Sequence, residues 1–155
     1  MELVADSNLF SFFYDRVQDA RRVRGVDVEE DTEFYLVNLL VDFLRTRRLV
    51  AVGGARVDEV PLAIRLLECR AGTRGDSFVQ LKHLADSTLY ALGFFAESFR
   101  KSAVDLRYFR GVGSSAYRDL SMMGGWRVSS GADSVFDELA RKFEDCVQVL
   151  SLIHI

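Results

Sequence analysis

The segment from Ser77 to Arg100 constrains the fold most, because its apolar residues recur with the period of an α-helix. At about 100° per residue, one broad face carries Leu81, Leu84, Ala85, Thr88, Leu92, Phe95 and Phe99. The other face carries His83, Asp86, Ser87, Tyr90, Phe94, Glu97 and Lys101. The pattern predicts a long amphipathic helix with a polar side in solvent, which must bury its apolar face against other helices.

Similar patterns predict five to six helices along the chain. Their expected starts rest on helix-capping residues and acidic first turns, and Gly25 is expected to end the first helix. The predicted segments are about Ser7–Arg24, Asp31–Leu44, Asp58–Gly72 and Ser77–Arg100, then a helix from Ala103 after the capping pair Ser102 and Asp105, and a last helix opened by Ser134 and Asp137. The last helix is expected to pack Val135, Leu139, Phe143, Val147 and Leu150 inward.

Glycines mark two further features. Gly53-Gly54, between short Val-rich arms, predicts either a hairpin or an irregular loop near residues 49–57. Gly111 and Gly113 lie inside the helix predicted after Ala103, where each costs about 1 kcal/mol relative to Ala. We therefore expect a neighbouring helix to approach closely at both positions.

Length and composition favour one domain over residues 1–150. A chain of 155 residues with 49% hydrophobic and 28% charged residues buries a sizeable core and is not dominated by disorder. The sequence therefore predicts an all-α fold, a single antiparallel helical bundle.

Charge, cysteine content and hydropathy limit the partners and the compartment. The net charge of −3 disfavours nucleic acid as a partner. Basic clusters at two helix ends are explained by the helix dipole. No apolar run is long enough for a bilayer and no signal peptide is evident, which predicts a cytoplasmic protein with no membrane partner. Cys69 and Cys146 are expected to be buried, too few and too far apart for a disulfide framework or a zinc cluster. The basic clusters are Arg21, Arg22 and Arg24, and Arg45, Arg47 and Arg48.

The central stretch resembles a family of small bacterial all-helical proteins of unknown function. The matching features are Gly93 to Phe95, Val104-Asp105, Tyr108-Phe109 and Ala116-Tyr117. The resemblance covers about a quarter of the chain, implies an all-α bacterial domain and carries over no catalytic residue. The ending Ser151–Ile155 looks like translated sequencing-adapter read-through in a metagenomic gene fragment, so residues 151–155 are interpreted as a non-native tail.

The side chains best suited to metal binding or acid–base chemistry are those of His83, Asp86 and Glu97, on one side of the fourth predicted helix. They suggest a metal site or an acid–base pair, with Tyr35, Asp42 and Asp105 as possible neighbours, and Arg100 or Lys101 facing an anionic substrate. A solvated polar stripe explains the same pattern, because bundle metal sites draw ligands from several helices. No cofactor and no catalytic residue is predicted.

Aromatic residues suggest a different role. The chain contains 12 Phe and 5 Tyr, more than a small core readily holds. Phe12 and Tyr14 flank the core stripe of the first predicted helix, and Tyr90 and Phe94 lie on the mostly polar side of the fourth. Exposed aromatics at helical spacing are typical of interfaces. We therefore expect a non-catalytic interaction or oligomerisation module with a protein partner or a second copy. The alternative is a bundle that binds a metal or small ligand.

Overall fold

The fold is described from a computed structural model, over residues 2–46, 74–94, 106–123 and 131–153. Within these ranges the regular structure is entirely α-helical, which confirms the predicted all-α class. None of the helices in these ranges is long and apolar enough to cross a bilayer. The hairpin expected near residues 49–57 and the helix expected over Asp58–Gly72 lie outside the described residues. The helices are α1 (Glu2–Arg24), α2 (Glu30–Thr46), α3 (Arg74–Phe94), α4 (Leu106–Met123), α5 (Gly131–Arg141) and α6 (Phe143–Ile153).

Helix α3 lies at the centre of the described packing. It packs mainly against α4 and α6, while α4 also packs against α5. Helix α1 contacts α2 and α6, and α2 contacts α5. One hydrophobic core draws side chains from all six of these helices, as expected for a helical bundle.

The corner between α1 and α2 is fixed by a glycine and a buried ion pair. Gly25 takes the left-handed conformation with φ of +66° and ends α1 as predicted. Arg21, in the last turn of α1, donates hydrogen bonds to the backbone carbonyls of Val26 and Val28, each at 3.2 Å. Its guanidinium also pairs with Glu33 of α2, whose side chain is 4% exposed. Arg21 therefore closes the corner as well as complementing the helix dipole.

Two glycines allow helices to approach closely, and a third does not. A Cβ atom on Gly113 of α4 would lie 2.5 Å from the Phe143 ring, and one on Gly93 would lie 2.5 Å from Cβ of Leu150. Both distances are shorter than van der Waals contact, so α6 packs where only glycine fits. At Gly111 a Cβ would meet nothing within 4 Å. The expected close approach is confirmed for Gly113 and wrong for Gly111, which faces outward.

The last predicted helix is divided into α5 and α6 at Lys142. Hydrogen bonds from Lys142 N to Glu138 O and from Cys146 N to Lys142 O continue the helical pattern across the division. The five residues expected to face inward are all buried. Helix α5 begins at Gly131, so Ser134 lies inside it and is not its N-cap.

Helix α6 continues through Ser151 to Ile153, and Ile153 is buried in the core. The non-native origin of residues 151–155 stays a prediction.

Candidate functional site

Over its described residues, the polar side of α3 is mostly buried, contrary to the interpretation of this face as a solvated stripe. Asp86, Ser87 and Tyr90 are all buried, with Asp86 only 6% exposed. His83 is half-buried. The prediction fails because α3 is enclosed on several sides, so residues on its less apolar face also meet neighbouring helices. Glu97, Arg100, Lys101 and Asp105 lie outside the described residues.

Asp86 joins three helices through a network that we call the Asp86 cluster: Asp86, Lys82, Tyr35 and Tyr117. Its Oδ1 accepts hydrogen bonds from the hydroxyls of Tyr35 on α2 and Tyr117 on α4, both at 2.6 Å. Its Oδ2 accepts a hydrogen bond from Lys82 Nζ at 3.0 Å. The hydroxyl distances are those of charge-assisted bonds, and the network satisfies a buried carboxylate that would otherwise be costly.

Ring packing holds the two phenols in place. Phe136 of α5 contacts both rings, edge-on to Tyr35 at 5.7 Å and stacked on Tyr117 at 6.2 Å between centroids. Burial and the adjacent Asp86 carboxylate raise the pKa of Tyr35 and of Tyr117 well above the ordinary tyrosine value. Both hydroxyls therefore stay protonated and act as donors at neutral pH.

Lys82 is the most exposed member of the Asp86 cluster. Its side chain is 45% exposed, and Nζ lies 5.3 Å from the centre of the Tyr35 ring, within cation–π range. Lys82, Asp86 and Tyr35 line a cleft of about 410 Å³ together with Asn38, Asp42 and Arg45 of α2. Tyr35 and Asp42, named from the sequence as neighbours of Asp86, are thus brought to the same site.

The carboxylate of Asp86 already accepts hydrogen bonds from Tyr35, Tyr117 and Lys82 of the same chain. Within the described ranges, no three His, Cys, Asp or Glu side chains come together in a way suited to a metal ion. Cys146 is buried as expected, and burial raises the pKa of its thiol to about 12, which keeps it protonated and unreactive at neutral pH.

The interface candidates are separated by the fold. Phe12 is 49% exposed, whereas Tyr14 is half-buried and stacked on Phe34 of α2 at 5.7 Å. Residues two apart point about 200° apart around a helix, so Phe12 and Tyr14 flank opposite sides of α1. Tyr90 is buried, stacked on Phe94 at 4.4 Å and packed against Phe43 of α2. Of these four candidates, only Phe12 is largely exposed to solvent.

Helix α1 also exposes residues that sequence reasoning did not single out. Val23 is 74% exposed, and Phe12 and Val23 lie on the same side of α1, eleven residues or about three turns apart. Between them on this side lie Arg16, whose guanidinium sits 5.1 Å from the Phe12 ring centre, and Asp19, whose side chain is 66% exposed. We call Phe12, Arg16, Asp19 and Val23 the outer stripe. The i, i+4, i+7, i+11 spacing was the available signal.

Comparisons with models of protein families, with curated proteins and with solved structures found no match. The resemblance of the central stretch to bacterial helical proteins stays a prediction.

Proposed function

We propose that this protein is a non-catalytic interaction module and that the outer stripe of α1 is its binding surface. The observation that carries the proposal is the pair of exposed apolar residues, Phe12 and Val23, on one side of a helix whose other side is packed in the core. Burial of each residue at an interface removes apolar area from water, which favours association. Arg16 and Asp19, between them, supply charges that select a partner.

Compared with the outer stripe, the Asp86 cluster is less suited to binding another molecule. Its donors and acceptors are matched inside the chain, and such a network fixes how helices meet. The outer stripe instead presents an aromatic side chain and an arginine together, a combination enriched at protein interfaces. The exposed side of α1 is thus better suited to a macromolecular partner than the Asp86 cluster is to catalysis.

Photo-crosslinking tests the proposal without assuming the partner. Benzoylphenylalanine in place of Phe12 keeps the phenyl ring and adds a benzoyl group, for which there is room because Phe12 is 49% exposed. The same residue in place of Val79 is the matched control, since Val79 is 66% exposed on α3. In cells that express the chain, we expect light-dependent adducts of defined mass from position 12 and none from position 79. Equal yields of adducts from both positions, or none from position 12, would overturn the proposal.

A second function, binding of a small polar ligand, is favoured by the cleft beside Asp86. Its lining combines a buried carboxylate with Lys82, Asn38, Asp42 and Arg45, and a few placed polar groups in a concave site are typical of ligand pockets. Native mass spectrometry with metal analysis, on protein purified without chelator, tests this function. A retained small molecule that is lost in Lys82→Met supports it, and mass equal to the bare chain in both proteins contradicts it.

A further inference from the structure

The outer stripe has an apolar residue at each end, and its basic and acidic positions exchange places when α1 is read in the opposite direction. From the N-terminal end it runs apolar, basic, acidic, apolar, at Phe12, Arg16, Asp19 and Val23. The gaps of four, three and four residues are also the same in either direction. An identical helix laid antiparallel on this stripe therefore meets an apolar residue with an apolar residue and a base with an acid.

Resting on the proposed role of the outer stripe, we infer that its partner is a second copy of this chain, packed antiparallel along α1. The twofold axis lies at the height of the peptide bond between Val17 and Gln18 along α1. Phe12 and Val23 are equally distant from this point along the sequence, and so are Arg16 and Asp19. Phe12 then meets the partner's Val23, and Arg16 meets the partner's Asp19. The symmetry repeats each contact once more, as in any isologous interface.

Charge disfavours the parallel arrangement of the same two helices. In that register Arg16 would face the partner's Arg16 and Asp19 would face the partner's Asp19, and opposed like charges at an interface are unfavourable. The antiparallel register also brings opposite charges together beside the stripe. There, Asp15 and the partner's Arg22 lie within about 3 Å of each other along the helix axis, at 1.5 Å per residue.

The ion pair that Asp19 makes within α1 is weak enough to be replaced by a pair across the dimer. Asp19 pairs with Arg22 one turn away at 3.3 Å, with side chains 66% and 75% exposed. Exposed pairs of this kind contribute little, so Asp19 exchanges a weak partner for Arg16 of the second copy. One pair of helices buries less area than a standard interface, and we expect a weak dimer with a Kd on the order of 10 µM.

Sedimentation equilibrium of the full chain with charge-reversed variants tests the register. Arg16→Asp places two carboxylates against each other twice per dimer, and we expect the Kd to rise at least about tenfold. Asp19→Arg should weaken the dimer similarly. The double variant Arg16→Asp, Asp19→Arg restores opposite charges across the axis, and its Kd should return to within about threefold of the original. Arg118→Asp, a charge reversal at an exposed position of α4, is the matched control and should leave the Kd unchanged.

Each outcome bears on the inference. Dimerisation, with the Kd restored in the double variant, supports the inference. A dimer whose Kd does not change on charge reversal, or a double variant that dimerises more weakly than both single variants, overturns the antiparallel register. A chain that remains monomeric at several hundred micromolar overturns the second copy as partner. Position-specific crosslinks from residue 12 to a different protein would, in that case, leave the proposed function standing.

Discussion

The Asp86 cluster and the outer stripe of α1 both combine opposite charges with an aromatic ring, but their surroundings differ. Lys82 lies over Tyr35 and pairs with a carboxylate that is 6% exposed. Arg16 lies over Phe12 beside Asp19, in a row of residues that all face solvent. A buried charge needs fixed partners to offset its lost hydration, and here the same chain supplies them. An exposed charge is available to another molecule.

The difference separates folding from association. Altering the Asp86 cluster leaves buried polar groups unsatisfied, so its consequences fall on the free energy of unfolding. Altering the outer stripe removes little from the folded chain, so its consequences fall on association. Variants of the two regions should therefore differ in which free energy they change, and the largest change in stability is expected at Asp86.

Asp86→Ala should lower the free energy of unfolding by about 2–5 kcal/mol, because the hydroxyls of buried Tyr117 and half-buried Tyr35 lose their shared acceptor. Urea denaturation measures the change. Asp137→Ala is the control: it removes an exposed carboxylate paired with Arg141 and should cost less than about 0.5 kcal/mol. Equal costs for the two variants would refute the structural importance of the Asp86 cluster.

Gly113→Ala should cost about 1–3 kcal/mol by overpacking. The new methyl group would overlap the buried Phe143 ring and push away α4, the helix that carries Tyr117. Gly111→Ala, on the same helix, has free space and should raise stability by up to about 1 kcal/mol. Thermal unfolding of both variants checks the opposite signs, and a stabilising Gly113→Ala would mean that the close packing is wrong.

Alkaline pH should destabilise the protein through the phenols of Tyr35 and Tyr117. Above about pH 10 the unfolded tyrosines lose their protons, while the raised pKa values keep Tyr35 and Tyr117 protonated in the fold. Stability therefore falls with rising pH by about 1.4 kcal/mol per pH unit for each phenol. Tyr117→Phe removes one of the two phenols, so the free energy of unfolding of this variant should fall less steeply, by about 1.4 kcal/mol per pH unit. The pKa values of Tyr14, Tyr90 and Cys146 are also raised, but these residues are present in both the original protein and the variant, so their effects cancel in the comparison. Identical slopes above pH 10 would contradict the raised pKa of Tyr117.

Val23→Ser should change the free energy of unfolding by less than about 0.5 kcal/mol, because Val23 is 74% exposed. The same variant should raise the dimer Kd several-fold, since it removes two apolar contacts per dimer. Val79→Ser, at 66% exposure, should match it in stability and leave association unchanged. Should both variants weaken the dimer equally, the outer stripe would have no special role.

Much of the fold could be predicted from the sequence because helical periodicity and helix-ending glycine are local signals. Gly25 ends α1 as expected, and the inward positions of α5 and α6 are buried as predicted. The polar side of α3 was misjudged because its environment depends on helices distant in sequence: Tyr117 reaches Asp86 from 31 residues away. The Lys82–Asp86 pair, at i, i+4, was a local signal that sequence reasoning missed.

The outer stripe shows the opposite case. Its spacing is visible in the sequence, but Tyr14 and Phe12 cannot be ranked there, since both flank the same core stripe. Only the packing of α2 against Tyr14 shows which of the two remains exposed.

Disulfide crosslinking tests the antiparallel pairing most directly. In a Cys69→Ser background, Phe12→Cys combined with Val23→Cys places a thiol at position 12 opposite the partner's position 23. A mild oxidant should then give a covalent dimer joined by two disulfides. Either single substitution separates identical positions by about 16 Å along the axis, too far for a disulfide, and should leave the protein monomeric on a non-reducing gel. Crosslinking of the single variants as fast as the double, or no crosslinking of the double variant, would contradict the account.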